Sequence, residues 1–343
     1  MKVLIIRFSA LGDITLSLAL IQKLNEQYPD LELFILSKPF AKDLFSSLKI
    51  TFVESDLKSE HKGFIGLFKL YKKIKREVNP NIVIDLHQVL RSKILNFFFR
   101  SSGLKVFEID KGRKKKKALV RKENKIRKQL KHSAERYADV FESAGFPLNF
   151  KTKDFQGLNF SRKLENTIPL PLEKVKIGFA PMAQHQGKSW PLEKVKTLIK
   201  ELVDDGKFIY LFGGPMDKIE LDELANGSDF IVNMVGTGGL DFEMQFMKNL
   251  DVFVAMDSSN MHLATMANIP VVSIWGATHS LAGFGPLGKN DAFKVEIAND
   301  QLSCRPCSVF GNKECFRGDY ACLNGINSNE VIEKINQALN SPL

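Results

Sequence analysis

The sequence predicts an α/β protein of two domains, each a parallel β-sheet covered by helices. Three observations support this prediction: the chain has 343 residues, short β-branched runs alternate with helical stretches, and the pattern repeats after a polar interruption. Single hydrophobic cores stop growing at about 250 to 300 residues, so this length favours two. With 44% hydrophobic and 26% charged residues, the composition is that of a globular protein.

The predicted strands are continuous apolar runs, as expected where a parallel sheet is buried on both faces. In the first half they are VLIIRF (3–8), LELFIL (31–36), ITFVE (50–54), NIVIDLH (81–87) and KVFEID (105–110). In the second half they are KIGFAP (176–181), FIYLFGG (208–214), FIVNMVG (230–236), DVFVAMD (251–257) and PVVSIWG (270–276). Ligands of such sheets bind beyond the carboxyl ends of the strands, so site residues should follow strands directly.

A polar stretch at 149–175 has little periodicity and predicts a linker. We therefore expect domains at 1–160 and 161–325, followed by a closing helix within 326–343. The chain opens on a strand-like run and shows no secretory signal pattern, and no apolar run reaches the roughly 18 residues that span a bilayer. These features predict a cytoplasmic protein.

The net charge of +10 comes from one place. The basic segment, residues 111–131, holds twelve Lys or Arg and one Glu, so the rest of the chain is nearly neutral. Such a cluster indicates an anionic partner, which could be nucleic acid, lipid headgroups or a phosphorylated glycan, or else a solvated loop. The segment contains no aromatic side chain to stack on bases, which disfavours a nucleic-acid-binding protein.

The four cysteines lie in one C-terminal segment as Cys304, Cys307, Cys315 and Cys322. Four thiolates suit tetrahedral zinc, but the Cys-x2-Cys-x7-Cys-x6-Cys spacing lacks the second short pair of common zinc ribbons. Disulfides are disfavoured in a reducing compartment. We expect reduced thiols that pin a loop, with a structural zinc as the less favoured alternative.

Asp13 follows the first predicted strand and precedes a helix expected to begin near Ile14. A carboxylate at this edge of the sheet could act as a general base. It could equally cap the helix, since Asp is a favoured cap and suits the positive helix end.

Two loops of the second half also follow strands. Lys188 lies in the loop after KIGFAP, where a Lys can reach phosphate oxygens, although a lone Lys is more often solvated. Asp257, Ser258, Ser259 and Asn260 form the turn after FVAM, and N–H groups at such a helix start suit an anion. His262, just beyond, could be an interior histidine.

Signatures of other common classes are absent from the sequence: there is no G-x-x-x-x-G-K-[ST] loop, no G-x-G-x-x-G turn after the first strand and no G-x-S-x-G elbow. Taken in order, the segments above resemble glycosyltransferase family 9, the heptosyltransferases. The matching positions are R-x-S-A-L-G-D at 7–13, K-x-W-P at 188–191, D-S-x-x-M-H-L-A at 257–264 and the cysteine-bearing segment at 304–322. His132 with Arg136 and Tyr137 also resembles the helix that closes the first domain of family members.

The resemblance implies the GT-B fold, two Rossmann-like domains whose parallel sheets face a central cleft. The N-terminal domain would bind the acceptor and the C-terminal domain the nucleotide sugar, usually ADP-heptose. Asp13 would be the base that deprotonates the acceptor hydroxyl. The implied donor-binding residues are Lys188, Asp257, Ser258, Ser259, Asn260 and His262. The predicted acceptor-binding residues are Arg7, Lys114, Lys115, His132 and Arg136.

The predicted function is inverting transfer of heptose from ADP-heptose to an anionic, lipid-linked acceptor of the lipopolysaccharide core. We expect peripheral association with the cytoplasmic face of the inner membrane, no cofactor and no nucleic-acid partner. The nearest alternative is a GT-B transferase that uses another nucleotide sugar or acceptor, because no motif specifies heptose. The alternative from a different class is a nucleic-acid-binding protein that uses the basic segment.

Overall fold

A computed structural model of the chain describes residues 1–160 and 168–341. The centre of the predicted linker, 161–167, and the last two residues of the predicted closing segment lie outside the described residues. No helix in the described ranges is long and apolar enough to cross a bilayer.

The secondary structure alternates strands and helices throughout. The strands are β1 (Lys2–Ile6), β2 (Glu32–Ser37), β3 (Thr51–Glu54), β4 (Ile82–Asp85), β5 (Lys105–Glu108), β6 (Lys176–Ala180), β7 (Phe208–Leu211), β8 (Ile231–Asn233), β9 (Val252–Met256), β10 (Val271–Trp275) and β11 (Lys294–Glu296). The α-helices are α1 (Leu11–Gln27), α2 (Gly63–Glu77), α3 (Leu90–Ser101), α4 (Arg113–Val120), α5 (Ser133–Ser143), α6 (Leu192–Asp204), α7 (Lys218–Ala225), α8 (Leu240–Met247), α9 (Ser259–Met266), α10 (Ala321–Asn324) and α11 (Ser328–Leu339). Every predicted strand is present; β11 escaped prediction because two of its three residues are charged.

The chain divides into two compact units. The first comprises Met1–Lys111 and Ser133–Thr152, and the second comprises Gly112–His132 and Lys153–Leu343. The predicted first domain, 1–160, includes the basic segment. In the structure almost all of this segment packs within the second unit. Apolar packing explains this placement. Leu119, Val120 and Leu130 of the segment form a buried cluster with Ala282, and the partly buried Leu281, Phe284 and Val309 pack against it.

The sheet of the first unit is parallel, with the strand order β3-β2-β1-β4-β5. The chain runs outward from β1 to β3 and then returns to add β4 on the other side of β1, so the strand order reverses between β1 and β4. Helices α2 and α3 bury Leu67, Leu70 and Phe99 in one cluster with Leu4 and Ile6 of β1. Burying each such side chain stabilises the fold by about 1.5 to 3 kcal/mol.

The sheet of the second unit is also parallel, with the order β11-β10-β9-β6-β7-β8, and it reverses between β6 and β9. Its core packs Phe179, Val254 and Ile274 of the strands against Leu198 of α6 and Ile335 of α11. The predicted C-terminal helix is present as α11. A capping box starts it, in which the Asn327 side chain accepts from the Glu330 N–H at 3.0 Å and the Glu330 carboxylate accepts from the Asn327 N–H at 2.8 Å.

The buried carboxyl group of Glu243 in α8 should make the stability of the second unit depend on pH. Its carboxyl is buried, with 7% of the residue exposed, and burial raises its pKa to about 7. In the unfolded chain Glu243 has the ordinary Glu pKa of about 4.3. From there to about pH 7 the folded state holds a proton that the unfolded state has lost, so stability falls as pH rises. The loss should reach up to about 3 kcal/mol above pH 7.

Glu243→Gln removes this titration. We expect equal stabilities of variant and wild type near pH 4, and a variant that unfolds at a higher denaturant concentration at pH 8. Urea unfolding at both pH values measures the difference. Parallel pH profiles for the two proteins would contradict the assignment.

Candidate functional site

The reversal of strand order marks the ligand-binding edge of each sheet, because the loops after the two strands at the reversal diverge and open a crevice. In the first unit these are the loops after β1 and β4, which begin at Arg7 and Leu86. In the second unit they are the loops after β6 and β9, which carry Lys188 and Asp257. Residues predicted from sequence therefore lie at both reversals.

Asp13 lies in the first turn of α1, which begins three residues earlier than expected and follows Ala10 as its cap position. The Asp13 carboxylate forms an ion pair with the Arg7 guanidinium, whose other nitrogen donates to the Leu86 carbonyl oxygen. The Arg7 side chain is 5% exposed and that of Asp13 is 25% exposed. The carboxylate is thus oriented from inside the unit and still accessible, as a general base must be.

Tyr137 of α5 completes this arrangement. Its hydroxyl donates to the Asp13 carboxylate at 3.3 Å, and the Arg7 guanidinium carbon lies 5.6 Å from its ring centroid. Burial, with the Asp13 charge as a smaller cause, raises the pKa of Tyr137 well above its usual value, so the hydroxyl stays protonated and keeps donating. Sequence reasoning noted Tyr137 only as part of a family motif, because its contact with Asp13 joins positions far apart in the chain.

His87, in the loop after β4, is a site residue that the sequence analysis missed. Its Nδ1 accepts from the Phe8 N–H at 3.4 Å, and its Nε2 lies 3.5 Å from the Ser9 hydroxyl. Burial first, and then the positive charges of Arg7 and Lys111, lower the pKa of His87 to about 3. His87 is therefore a neutral hydrogen-bonding group that fixes the loop after β1. Its position at the end of the predicted strand NIVIDLH (81–87), the edge where ligands of such sheets bind, was the available signal.

The structure separates the predicted acceptor-binding residues. Arg7 and Arg136 belong to the first unit, where Arg136 donates to the Asp110 carbonyl oxygen at 3.2 Å. His132 belongs to the second unit, and its Nε2 lies 2.8 Å from the Gly285 carbonyl oxygen. Lys114 and Lys115 are exposed on α4, also in the second unit. Only the two arginines therefore share a unit with Asp13.

Lys188 and Asp257 meet in the second unit, as the sequence predicted for a joint donor site. The Lys188 Nζ lies 2.9 Å from Asp257 Oδ2, and their side chains are 17% and 8% exposed. The two residues come from the loops that follow β6 and β9, the strands at the reversal. Their ion pair therefore joins the two loops that border the crevice. An ammonium at this position can serve two anions, the carboxylate and a bound phosphate.

Gly187 and Gly311 allow the backbone to pack closely around the aliphatic part of the Lys188 side chain. A Cβ on Gly311, whose φ of +75° favours glycine, would lie 2.5 Å from the Lys188 Cγ. A Cβ on Gly187 would lie 2.8 Å from the Gly311 carbonyl oxygen, and the Gly187 carbonyl accepts from the Ala277 N–H at 2.8 Å. The loop that carries the cysteines thus packs on the Lys188 side chain and limits its positions.

The start of α9 has the form of an anion site. Ser258 occupies the cap position with extended backbone, and its buried Oγ has no hydrogen-bond partner among the described residues. Ser259 and Asn260 begin the helix half-buried, and His262 is buried one turn on. The unsatisfied N–H groups and the helix dipole at this end favour negative charge, and Lys188 lies beside Asp257 at the same loop.

Arg305 is a second residue that sequence reasoning missed. It is 1% exposed, and its guanidinium donates to the carbonyl oxygens of Gly276 at 2.7 Å and Thr278 at 3.2 Å and to the Glu296 carboxylate at 2.9 Å. These bonds hold the loop after β10 against β11. Removing Arg305 would take the donor away from these carbonyl oxygens and from the Glu296 carboxylate, so its loss should destabilise this loop.

The basic segment uses part of its charge inside the second unit. Lys125 donates to the Pro306 carbonyl oxygen at 2.9 Å, and Arg127 donates to the Arg305 carbonyl oxygen at 3.3 Å. The Lys116 Nζ lies 4.0 Å from the Phe284 ring centroid, and burial lowers the pKa of Lys125. Through these contacts the segment packs on the cysteine-bearing loop. The interpretation as a merely solvated loop is therefore wrong for Lys116, Lys125 and Arg127.

All four cysteines are free. Within residues 1–160 and 168–341, no three His, Cys, Asp or Glu side chains are arranged to hold a metal ion. Burial raises the pKa of Cys307 and raises that of Cys322 to about 12. Both thiols are thus protonated at neutral pH, and in this arrangement the cysteines fill the loop as small apolar groups.

Two doubly wound units, one with a positioned carboxylate and the other with a lysine beside a helix start that suits an anion, are the architecture of GT-B glycosyltransferases. The comparisons with known proteins agree with this class. The family model described as glycosyltransferase family 9 (heptosyltransferase) matches residues 67–314. The chain therefore belongs to glycosyltransferase family 9 and is an enzyme, which decides against the nucleic-acid-binding class.

Relatives match over nearly the whole length. The lipooligosaccharide heptosyltransferase 2 of Haemophilus influenzae is 26% identical, with 99% of each chain covered. A glycosyltransferase family 9 structure from Veillonella parvula has a TM-score of 0.72 and 18% identity, covering 98% of this chain and 97% of that one. The E. coli ADP-heptose lipopolysaccharide heptosyltransferase II has a TM-score of 0.69 and 19% identity, covering 99% and 98%. These structures confirm the predicted fold class.

The state of the cysteines can be measured on the purified protein. We expect four thiols in urea without reductant and no bound metal by elemental analysis. In the native protein the thiols of Cys307 and Cys322 should react slowly with a disulfide reagent at pH 7.5, because the thiolate is the reactive form. For Cys322 the rate should rise about tenfold per pH unit, since its pKa lies near 12. Stoichiometric zinc, or fewer than four thiols without metal, would contradict this.

Proposed function

We propose that this enzyme transfers a heptose from ADP-heptose to a core acceptor of lipopolysaccharide or lipooligosaccharide, with inversion at the anomeric carbon. The supporting relatives include one named for lipooligosaccharide heptosyl transfer and one named for ADP-heptose. The observation that carries the proposal is the Lys188–Asp257 pair beside the start of α9, at the strand reversal of the second sheet.

The donor diphosphate occupies the start of α9 in this proposal. Backbone N–H groups at Ser259 and Asn260, and the unpartnered hydroxyl of Ser258, supply neutral donors for phosphate oxygens. Lys188 supplies the positive charge. Asp257 holds the ammonium in place before the nucleotide arrives and, with His262, borders the sugar side of the turn.

Asp13 is the general base on the acceptor side. Its carboxylate accepts the proton of the acceptor hydroxyl while that oxygen attacks the anomeric carbon. The bond from the anomeric carbon to the diphosphate oxygen breaks in the same step, and its electron pair stays on the leaving ADP. Lys188 and the α9 start stabilise the charge that develops there, so no protein nucleophile is needed.

The buried side chains of Arg7 and Tyr137 both contact the Asp13 carboxylate. The adjacent guanidinium pairs with the carboxylate, and the tyrosine hydroxyl fixes its rotamer. Arg136 is the cationic residue of the first unit that we assign to a phosphate or carboxylate group of the acceptor. The acceptor is then anionic and lipid-linked, and the enzyme works at the cytoplasmic face of the inner membrane.

A panel of sugar nucleotides tests the donor. Purified enzyme is incubated with ADP-heptose, ADP-glucose, UDP-glucose and UDP-N-acetylglucosamine in the presence of deacylated core oligosaccharide, and nucleoside diphosphate release is measured. The proposal requires ADP release from ADP-heptose that depends on the acceptor. Faster release of UDP would assign another donor to the same fold and base.

Asp13→Asn should lower kcat by about 10² to 10⁴, the usual contribution of a general base. The amide keeps an acceptor for Tyr137 but can neither take the proton nor neutralise Arg7, so a modest loss of thermal stability is expected as well. ADP affinity, set in the second unit, should stay unchanged by calorimetry. Asp43→Asn, at an exposed position of the first unit, is the control. Near-normal turnover of Asp13→Asn would remove this residue from the mechanism.

Lys188→Ala should weaken ADP binding by about 1 to 3 kcal/mol, the scale of a lost charged hydrogen bond. Asp257 then faces the diphosphate without its counter-charge, which adds to the loss. Calorimetric titration with ADP measures it, and Lys196→Ala, an exposed lysine of α6, is the matched control. If ADP binds equally well to both variants, the diphosphate lies elsewhere.

A further inference from the structure

The outer face of α2 and α3 in the first unit exposes large apolar side chains. Phe64 is 60% exposed, Ile65 73%, Leu90 75% and Phe97 61%. Together with Phe68, 38% exposed, these residues form what we call the aromatic patch. Soluble surfaces carry single exposed apolar residues routinely, but a group on two neighbouring helices indicates a binding surface.

Ring contacts make the patch continuous. Phe98 lies at its centre, almost buried, with ring-centroid distances of 5.2 Å to Phe64, 5.2 Å to Phe68 and 5.8 Å to Phe97. The first two rings come from α2 and the third from α3. Phe64, Phe68 and Phe97 therefore share one aromatic layer with Phe98 that joins the two helices.

Positive charge surrounds this layer. The two helices contain eight Lys or Arg and a single acidic residue, Glu77. Lys69, Lys72 and Lys93 are exposed, and the Lys72 Nζ lies 4.8 Å from the Phe68 ring centroid. Aromatic side chains with lysines beside them are the composition of helices that lie in the interface of an anionic bilayer.

The patch begins at the edge of the sheet that carries Asp13. Helices in a parallel α/β unit start at the carboxyl ends of the strands that they follow. Leu90 opens α3 shortly after β4 and His87, and Phe64 and Ile65 lie in the first turn of α2 after β3. The exposed apolar side chains thus extend from the edge of the sheet where Arg7 and Asp13 lie.

We propose that the aromatic patch docks the enzyme on an anionic lipid bilayer. Phe64, Ile65, Leu90 and Phe97 enter the interfacial region, and Lys69, Lys72 and Lys93 contact lipid phosphates. Docking rests on these residues alone; its purpose, to bring Asp13 to a lipid-linked acceptor, rests on the proposed function. A second copy of the chain is a poor occupant, because it would bring two strongly positive surfaces together.

Vesicle sedimentation of the full chain without substrates tests the docking. Vesicles of phosphatidylglycerol and phosphatidylethanolamine should bind the wild type, and phosphatidylcholine vesicles should bind it at least tenfold more weakly. The triple variant Phe64→Ser, Ile65→Ser, Phe97→Ser should lose binding at least tenfold. The matched control Met216→Ser, Ile219→Ser alters residues that are 94% and 77% exposed in the second unit, and it should bind as the wild type does.

Charge variants separate this surface from the basic segment. Lys69→Gln, Lys72→Gln, Lys93→Gln should lower binding to the anionic vesicles about tenfold or more and flatten its salt dependence, since each basic residue near anionic lipid contributes about 1 kcal/mol. Lys114→Gln, Lys115→Gln, Lys117→Gln on α4 should change binding no more than about twofold, on the same scale of effects. The reverse result would overturn the proposal and assign the membrane surface to the basic segment.

Further measurements keep the proposal falsifiable. Circular dichroism must show that the triple serine variant is folded. If it is not, Phe97→Ser alone serves, and this variant is expected to lose binding about tenfold on the area scale of apolar burial. Wild-type dimers that the triple variant abolishes would assign the face to a second copy and overturn docking. Turnover on a deacylated acceptor should be normal in the triple variant. Vesicle binding without any heptosyl transfer by the wild type would reject the proposed function and leave the docking surface standing.

Discussion

The reversal of strand order in two buried parallel sheets is the constraint on which the rest of this protein depends. Strands covered on both faces leave no polar surface except beyond their ends. Where the order reverses, neighbouring loops diverge and leave room for a ligand. Arg7 and His87 follow the strands at one reversal, and Lys188 and Asp257 follow those at the other. The same topological rule, applied twice, therefore positions the residues of both proposed half-sites.

Each unit holds a partly exposed ion pair at its reversal, and the two pairs differ in the charge that they present. In the first unit Arg7 is deeper than Asp13, so the carboxylate is the accessible partner. In the second unit Asp257 is the deeper group and the Lys188 ammonium is more exposed. In each pair the buried partner orients the more exposed group before substrate binds. The accessible partner is thus Asp13, the proposed base, in the first unit and Lys188, the proposed cation for the diphosphate, in the second.

The surroundings of Lys188 show how distant segments support a site. Arg305 holds the loop after β10, Gly311 packs on the lysine stem, and the basic segment lies across the same region through Lys125 and Arg127. Part of the charge of the basic segment is therefore structural. The aromatic patch on α2 and α3 is a different case, because its rings are exposed while lysines surround them.

The sequence by itself determined ten of the eleven strands in the described residues, the two-domain α/β class and the positions of Asp13, Lys188 and Asp257 after strands. It could do so because continuous apolar runs and the polar residues that follow them are local patterns. The start of α1, the role of Tyr137 and the neutral state of His87 required the tertiary structure, since they depend on contacts with distant parts of the chain. The basic segment shows the limit most clearly: its charges are visible in sequence, but three buried apolar side chains, Leu119, Val120 and Leu130, decide which unit it joins. Hydrophobic contacts between distant segments carry no local signature, and only the folded chain shows which surface they cover.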